Sequence, residues 1–215
     1  MGERLSPRGV FDTHAHYTDE RFAAEFEGGA DAAIRECFTD GMAGILNVGT
    51  NLENSRRAVM QAKNYPLMYA AVGIHPSDIG MSGGFDEEMS ALSALLSGRE
   101  EDGIVALGEI GLDYHWQPYD KELQAKYFDA QLSLAREMDI PVIIHDREAH
   151  GDCFEAVLRH PGVRGVFHSY SGSAEMALEL CRRGFYISFS GTVTFKNARH
   201  VRSVVEEVPR DRILV

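Results

Sequence analysis

Gly9-Val10-Phe11-Asp12-Thr13-His14-Ala15-His16 is a short apolar run that turns polar and carries two histidines two residues apart. On an extended backbone, side chains two apart point to one side. The two imidazoles can therefore reach a common point, and neutral imidazole is a ligand for Zn, Mn, Fe or Ni. A pair of solvated loop histidines has the same spacing, so the reading depends on what the rest of the chain repeats. It repeats this pattern of an apolar run ending in a residue able to hold a metal. Residues 67–74 stop at His75-Pro76, 104–108 at Glu109, 141–144 at His145 and 163–167 at His168.

With residues 10–13, 43–48, 185–189 and 212–215, these runs make eight expected strands. Helical stretches lie between them. Residues 30–39 are closed by Asp40-Gly41, because glycine often follows a helix end. Residues 53–65 stop at Pro66, and 85–96 follow. Residues 120–139 place Leu123, Tyr127, Ala130, Leu134 and Met138 at helical spacing. The last helices are expected over 147–159, 174–183 and 197–208. Strands alternating with helices imply right-handed crossovers and a parallel sheet. Eight repeats imply a (β/α)8 TIM barrel, usually about 250 residues long. The 215 residues are read as one such domain, 1–215, with the last helix missing and the chain ending after strand eight. A doubly wound open sheet is the alternative, but no Gly-x-Gly-x-x-Gly follows the first strand.

A hydrophobic content of 44% suffices for a sizeable core. The net charge of −12, from 21 basic and 33 acidic side chains, argues against a broad basic face that coats nucleic acid or anionic membrane. Nucleic acid met locally, through bound cations and a few basic side chains, stays open. Cys37, Cys153 and Cys181 form no close pair, which suits reduced thiols in a cytoplasmic protein. Without a signal-peptide pattern or a run of 18 apolar residues, no membrane span is expected. Asp86-Glu87-Glu88 reads as a solvated helix start.

In barrels of this kind the active site lies at the mouth formed by the strands' C-terminal ends. His14, His16, Glu109, His145 and His168 converge there. The set is nitrogen and carboxylate without thiolate, which suits a site with positions open to water. Five ligands are many for one zinc, and two ions bridged by Glu109 fit better. Paired divalent ions lower the pKa of a water and stabilise both oxygens of a displacement. That is hydrolytic chemistry, suited to a phosphodiester, an ester or an amide. Asp113 either orients a ligand histidine or makes a turn. Arg147 either grips a substrate anion or pairs at a helix start. Lys196 meets phosphate or is solvated, and His75 touches substrate or the ligands' neighbours. His115, His150, His160 and His200 read as surface or helix-end residues.

Taken together, these segments resemble the TatD family of metal-dependent hydrolases, among the amidohydrolase-like barrels. The residues that carry the resemblance are Phe11-Asp12-Thr13-His14-Ala15-His16, Val72-Gly73-Ile74-His75-Pro76, Leu107-Gly108-Glu109-Ile110-Gly111-Leu112-Asp113-Tyr114, Pro141-Val142-Ile143-Ile144-His145-Asp146-Arg147, Val166-Phe167-His168-Ser169-Tyr170-Ser171-Gly172 and Thr194-Phe195-Lys196-Asn197. Related amidohydrolases often carry a modified lysine where this chain has Glu109. The resemblance implies a divalent-metal deoxyribonuclease, often acting from the 3′ end. It implies that His14 and His16 hold one ion, Glu109 bridges, and His145 and His168 hold the second. Glu109, Asp113 and Arg147 are the expected catalytic residues, and His75, Arg147 and Lys196 the substrate contacts. The ions are expected to be Zn, Mn or Mg. The substrate is expected to be single-stranded DNA or a 3′ end, and the protein a monomer.

Two departures bear on this. Ser169-Tyr170-Ser171-Gly172 stands where the family has Cys-Phe-Ser-Gly, at a position that is not a ligand. The family also continues from strand eight into Glu-Thr-Asp, whose aspartate is a ligand and the base, and this chain ends at Val215. Losing a positioned base costs about 10²–10⁴ in rate. The expectation is weaker metal binding at the His14/His16 ion and much lower activity than an intact relative. The alternatives are an ester or amide hydrolase of the same fold, for example on aminoacyl-tRNA, or a metal-binding barrel serving as an interaction module.

Overall fold

Each strand pairs in parallel with the next one in the chain, from first to last. The computed structural model describes residues 9–215. Its strands are β1 (Phe11–Ala15), β2 (Gly44–Val48), β3 (Met68–Val72), β4 (Ile104–Asp113), β5 (Val142–Arg147), β6 (Gly165–Phe167), β7 (Tyr186–Ser188) and β8 (Ile213–Leu214). The helices are α1 (Arg21–Glu25), α2 (Gly29–Thr39), α3 (Leu52–Ala62), α4 (Phe85–Ser97), α5 (Arg99–Asp102), α6 (Lys121–Glu137), α7 (His150–Arg159), α8 (Ala174–Arg182) and α9 (Arg199–Glu207). The last strand returns to the first. The Thr13 amide and hydroxyl donate to the Val215 oxygen at 3.0 and 2.5 Å, which brings the sheet round into a TIM barrel. No helix among the described residues is long and apolar enough to cross a membrane.

Strand periodicity sorts the core into two layers. Leu46, Val48, Ala71, Ala106, Ile143 and Val166 fill the barrel interior. Their strand neighbours Ile45, Ala70, Leu107, Val142, Ile144 and Phe167 face the helices. His145, in phase with Ile143, therefore points to the interior where β5 reaches the mouth. At Gly111 the backbones of β4 and β5 come very close. An added Cβ would lie 2.0 Å from the His145 carbonyl, so only glycine fits there. That approach draws the end of β4 onto the His145 side chain.

Several sequence expectations are corrected. β4 does not stop at Glu109 but runs on to Asp113, a buried strand residue whose carboxylate both meets His145 and makes the turn to His115 and Trp116. Arg147 belongs to β5, and α7 begins only at His150. Glu88 is buried, not solvated, because it accepts from the amides of Gly80 and Ser82 and from the Tyr127 hydroxyl. The buried face of α6 is Gln124, Tyr127, Phe128, Gln131, Leu132 and Ala135, while Leu123 is exposed. His160, at the end of α7, is buried and bonded to the Ala156 carbonyl. The polar stretch after β1 holds the short helix α1. The three cysteines are unpaired, with Cys153 and Cys181 buried.

Candidate metal centre

Glu109 sits at the centre of the mouth, 4% exposed, on the rising part of β4. Its Oε2 lies 3.4 Å from His14 Nε2 and 3.5 Å from His16 Nε2, and its Oε1 lies 2.9 Å from His145 Nδ1. The other ring nitrogen of His145 lies 2.9 Å from Asp113 Oδ2. His168, just past β6, stacks flat on His14 with centroids 3.4 Å apart. His75, just past β3, meets the His145 ring edge-on at 4.3 Å. Two ligand-type groups result, His14–Glu109–His168 and His75–Asp113–His145. His16 joins the first, its Nε2 lying 2.9 Å from His14 Nε2.

The resemblance implies that His145 and His168 share an ion, and His75 reads as touching substrate or the ligands' neighbours. In the structure His168 stacks on His14, and His75 lies beside Asp113 and His145. Lys196 is exposed, on the loop after the 3-10 turn Gly191–Thr194. That loop is pinned by Arg202, whose guanidinium donates to the carbonyls of Val193, Phe195 and Lys196. Arg147 is exposed at the rim, its guanidinium 5.2 Å from the centre of the Trp116 ring.

The protonation states follow from these neighbours. Burial alone would raise the Glu109 pKa, but His14, His145 and His16 outweigh it and hold the carboxyl well below the usual carboxylate range. Burial likewise opposes charge on His145, but Asp113 and Glu109 on either side raise it to about 9. Burial would raise Asp113 too; His145 and the amides of His115 and Trp116 bring it down to about 2. Burial pushes His75 down to about 4 and His168 to about 3, so both stay neutral at neutral pH. His16 is lowered by burial and raised more by Glu109 and the Val48 carbonyl.

This donor set fits a metal cation. His16 Nδ1 donates to the Val48 carbonyl at 2.9 Å, and in the neutral ring that leaves the Nε2 lone pair facing His14 and Glu109. The buried Nδ1 atoms of His14 and His168 have no hydrogen-bond partner among the described residues. Two neutral imidazole nitrogens facing each other at 2.9 Å can share at most one proton, so a cation satisfies them better. Glu109 and Asp113 together carry two buried negative charges, and the His145 imidazolium between them offsets one, so a further cation would balance the other.

The backbone around the cluster is held by side-chain amides that sequence reasoning passed over. Gln131 accepts from the Ile74 amide and donates to its carbonyl, at 2.9 and 3.0 Å, just before His75. Gln124 does the same to Asp113 at the same distances. Asn47 and Gln61, themselves bonded, take the amide and carbonyl of Tyr17, just after His16. The available signal was two glutamines seven apart on a helix, which puts both on one face.

A family model described as "TatD related DNase" matches residues 11–215. A Bacillus subtilis (strain 168) protein named uncharacterized metal-dependent hydrolase YabD is 40% identical over 210 residues, covering 96% of this chain and 78% of its own. A protein of Escherichia fergusonii named 3′-5′ ssDNA/RNA exonuclease TatD is 30% identical over 212 residues, covering 96% and 77%. The crystal structure of YjjV, a TatD homologue from Escherichia coli K12, superposes with a TM-score of 0.85 at 31% identity, covering 96% and 77%.

Proposed function

The chain belongs to the TatD family of metal-dependent hydrolases, and from that premise we propose that it hydrolyses phosphodiester bonds of single-stranded DNA from the 3′ end, using two divalent ions. The observation that carries this reading is the Glu109 carboxylate, which offers one oxygen to His14 and His16 and the other to His145. A carboxylate facing two nitrogen sets is suited to bridging. The ions (Zn, Mn or Mg) would be held by His14, His16, Glu109, His145 and His168, and would supply Lewis acidity and an acidified water. Asp113 fixes the His145 ring through Nε2, and its own backbone is fixed by Gln124. Arg147, exposed at the last position of β5, and Lys196, exposed on the loop after the 3-10 turn, would take phosphate oxygens. His75 is neutral, and its Nδ1 accepts from the Ser77 amide at 3.1 Å, so its Nε2 bears the proton and can donate to a substrate oxygen. The relative named as an exonuclease supports the same substrate class.

The test is metal content per chain after purification without added metal, combined with cleavage of a 3′-labelled single-stranded oligonucleotide with and without Mg²⁺ or Mn²⁺. Close to two metals per chain, with stepwise shortening from the labelled end, is the expected result. One metal or fewer with no shortening in either ion would sink the proposal.

A further inference from the structure

Trp116 is 60% exposed at the mouth, three residues beyond Asp113. It is not loosely attached. Asp113 Oδ1 accepts from the His115 and Trp116 amides at 2.9 and 3.3 Å, while Asp113 Oδ2 lies 2.9 Å from His145 Nε2. One carboxylate therefore indexes the indole to the cluster of His75, Asp113 and His145. The Arg147 guanidinium lies 5.2 Å from the centre of the ring, and the His115 ring meets it edge-on at 4.8 Å. The indole also walls a hollow of about 260 Å³, whose other sides include Pro76, Ile79, Tyr119 and Leu123. Pro76 follows His75 directly, so the hollow opens beside the same cluster. An indole kept exposed costs hydrophobic stabilisation unless something covers it.

We infer that Trp116 and this hollow form a base-stacking subsite, taking the nucleobase next to the phosphate held at the metal cluster, with Arg147 over the ring to meet the adjoining phosphate. The inference rests on the nucleic-acid reading above. An aromatic face accepts any base, which suits a chain that shortens a strand without reading its sequence. The hollow is of mixed polarity, with Ser77, Gln117 and Asp120 among its walls beside the aromatic and aliphatic ones, and it is large enough for a planar ring system whose edge carries polar groups. A guanidinium already poised on an aromatic face is also well placed to contact both a base and its phosphate.

Trp116 is the only tryptophan in the chain, so its emission reports on this site alone. The probes are octathymidylate with cleavage-resistant phosphorothioate linkages and the same strand with abasic 3′-terminal nucleotides. Binding is followed separately by anisotropy of end-labelled strands. Octathymidylate should quench the emission with the midpoint seen by anisotropy. The abasic strand should leave the emission unchanged and bind about 5- to 150-fold more weakly, the range that stacking of one base gives. Trp116→Ala should lose that same factor for octathymidylate and bind both strands alike, while Trp116→Phe keeps most of the affinity. Binding by anisotropy with unchanged emission, or Trp116→Ala binding as tightly as the parent, overturns the inference and leaves the nuclease reading standing. No binding of either strand by the parent protein overturns both.

Discussion

Glu109 is the residue on which the mouth depends, because its two oxygens face histidines from β1 and β5. Burial makes a lone carboxylate there costly, and the surrounding imidazoles offset that cost. Glu109→Gln keeps the shape and removes the charge. An amide still hydrogen-bonds, so the fold should persist, but it is a poor bridge between cations. We expect metal content to fall by at least one ion per chain, and activity to fall by more than about 100-fold, since even residues that merely hold a ligand are worth 10–100-fold. Metal analysis of the purified variant checks it; two ions retained would remove Glu109 from the bridging role. The convergence of His14, His16, Glu109, His145 and His168 was legible because each sits where an apolar run ends. The pairing within the set was not. Whether His168 lies on His14 or beside His145 depends on barrel curvature and ring orientation, which strand order does not fix.

The elements around the mouth are coupled by amide side chains reaching from helices to strand ends. Gln124 and Gln131 lie on the buried face of α6 and bond the backbones of Asp113 and Ile74 as a neighbouring strand would. Reading α6 by apolar spacing placed its buried stripe too far toward Leu123, because a polar residue counts as outward in that reading. A glutamine that satisfies both an amide and a carbonyl can instead be fully buried. Likewise β4 was expected to end at its first charged residue, yet Glu109 and Asp113 are tolerated inside because the histidines partner them. Gln124→Leu has a sharp expectation. It preserves volume but strands the buried N–H and C=O of Asp113, at roughly 1–3 kcal/mol each. Urea unfolding should show a loss of about 2–6 kcal/mol, against less than about 0.5 kcal/mol for Met60→Ala on the exposed side of α3. Equal midpoints for the two variants would mean that the clamp contributes little to stability.

At the scale of the molecule, the proposed ligands come from the ends of β1, β4, β5 and β6, from residue 14 to residue 168. The unfolded chain cannot bring them together, so any ion they hold binds the native state almost exclusively. The same barrel must keep neutral His75 and His168, orphaned ring nitrogens and two buried carboxylates within a few ångströms in a chain of net charge −12. Each of these is easier to keep folded when positive charge is present among them. Metal should therefore stabilise the whole barrel and not only the mouth. With free ion at about a hundred times its dissociation constant, the gain is about 2.7 kcal/mol. For a domain of this size that is a rise of about 5–10 °C in Tm. Scanning calorimetry of the protein stripped with EDTA, before and after adding back Mn²⁺ or Zn²⁺, should show that rise, and Glu109→Gln should show less of it. A Tm that does not respond to stripping or to restored metal would mean that the histidine cluster holds no ion in the folded state. The hydrolytic reading would then lose its physical basis, however closely the barrel matches its relatives.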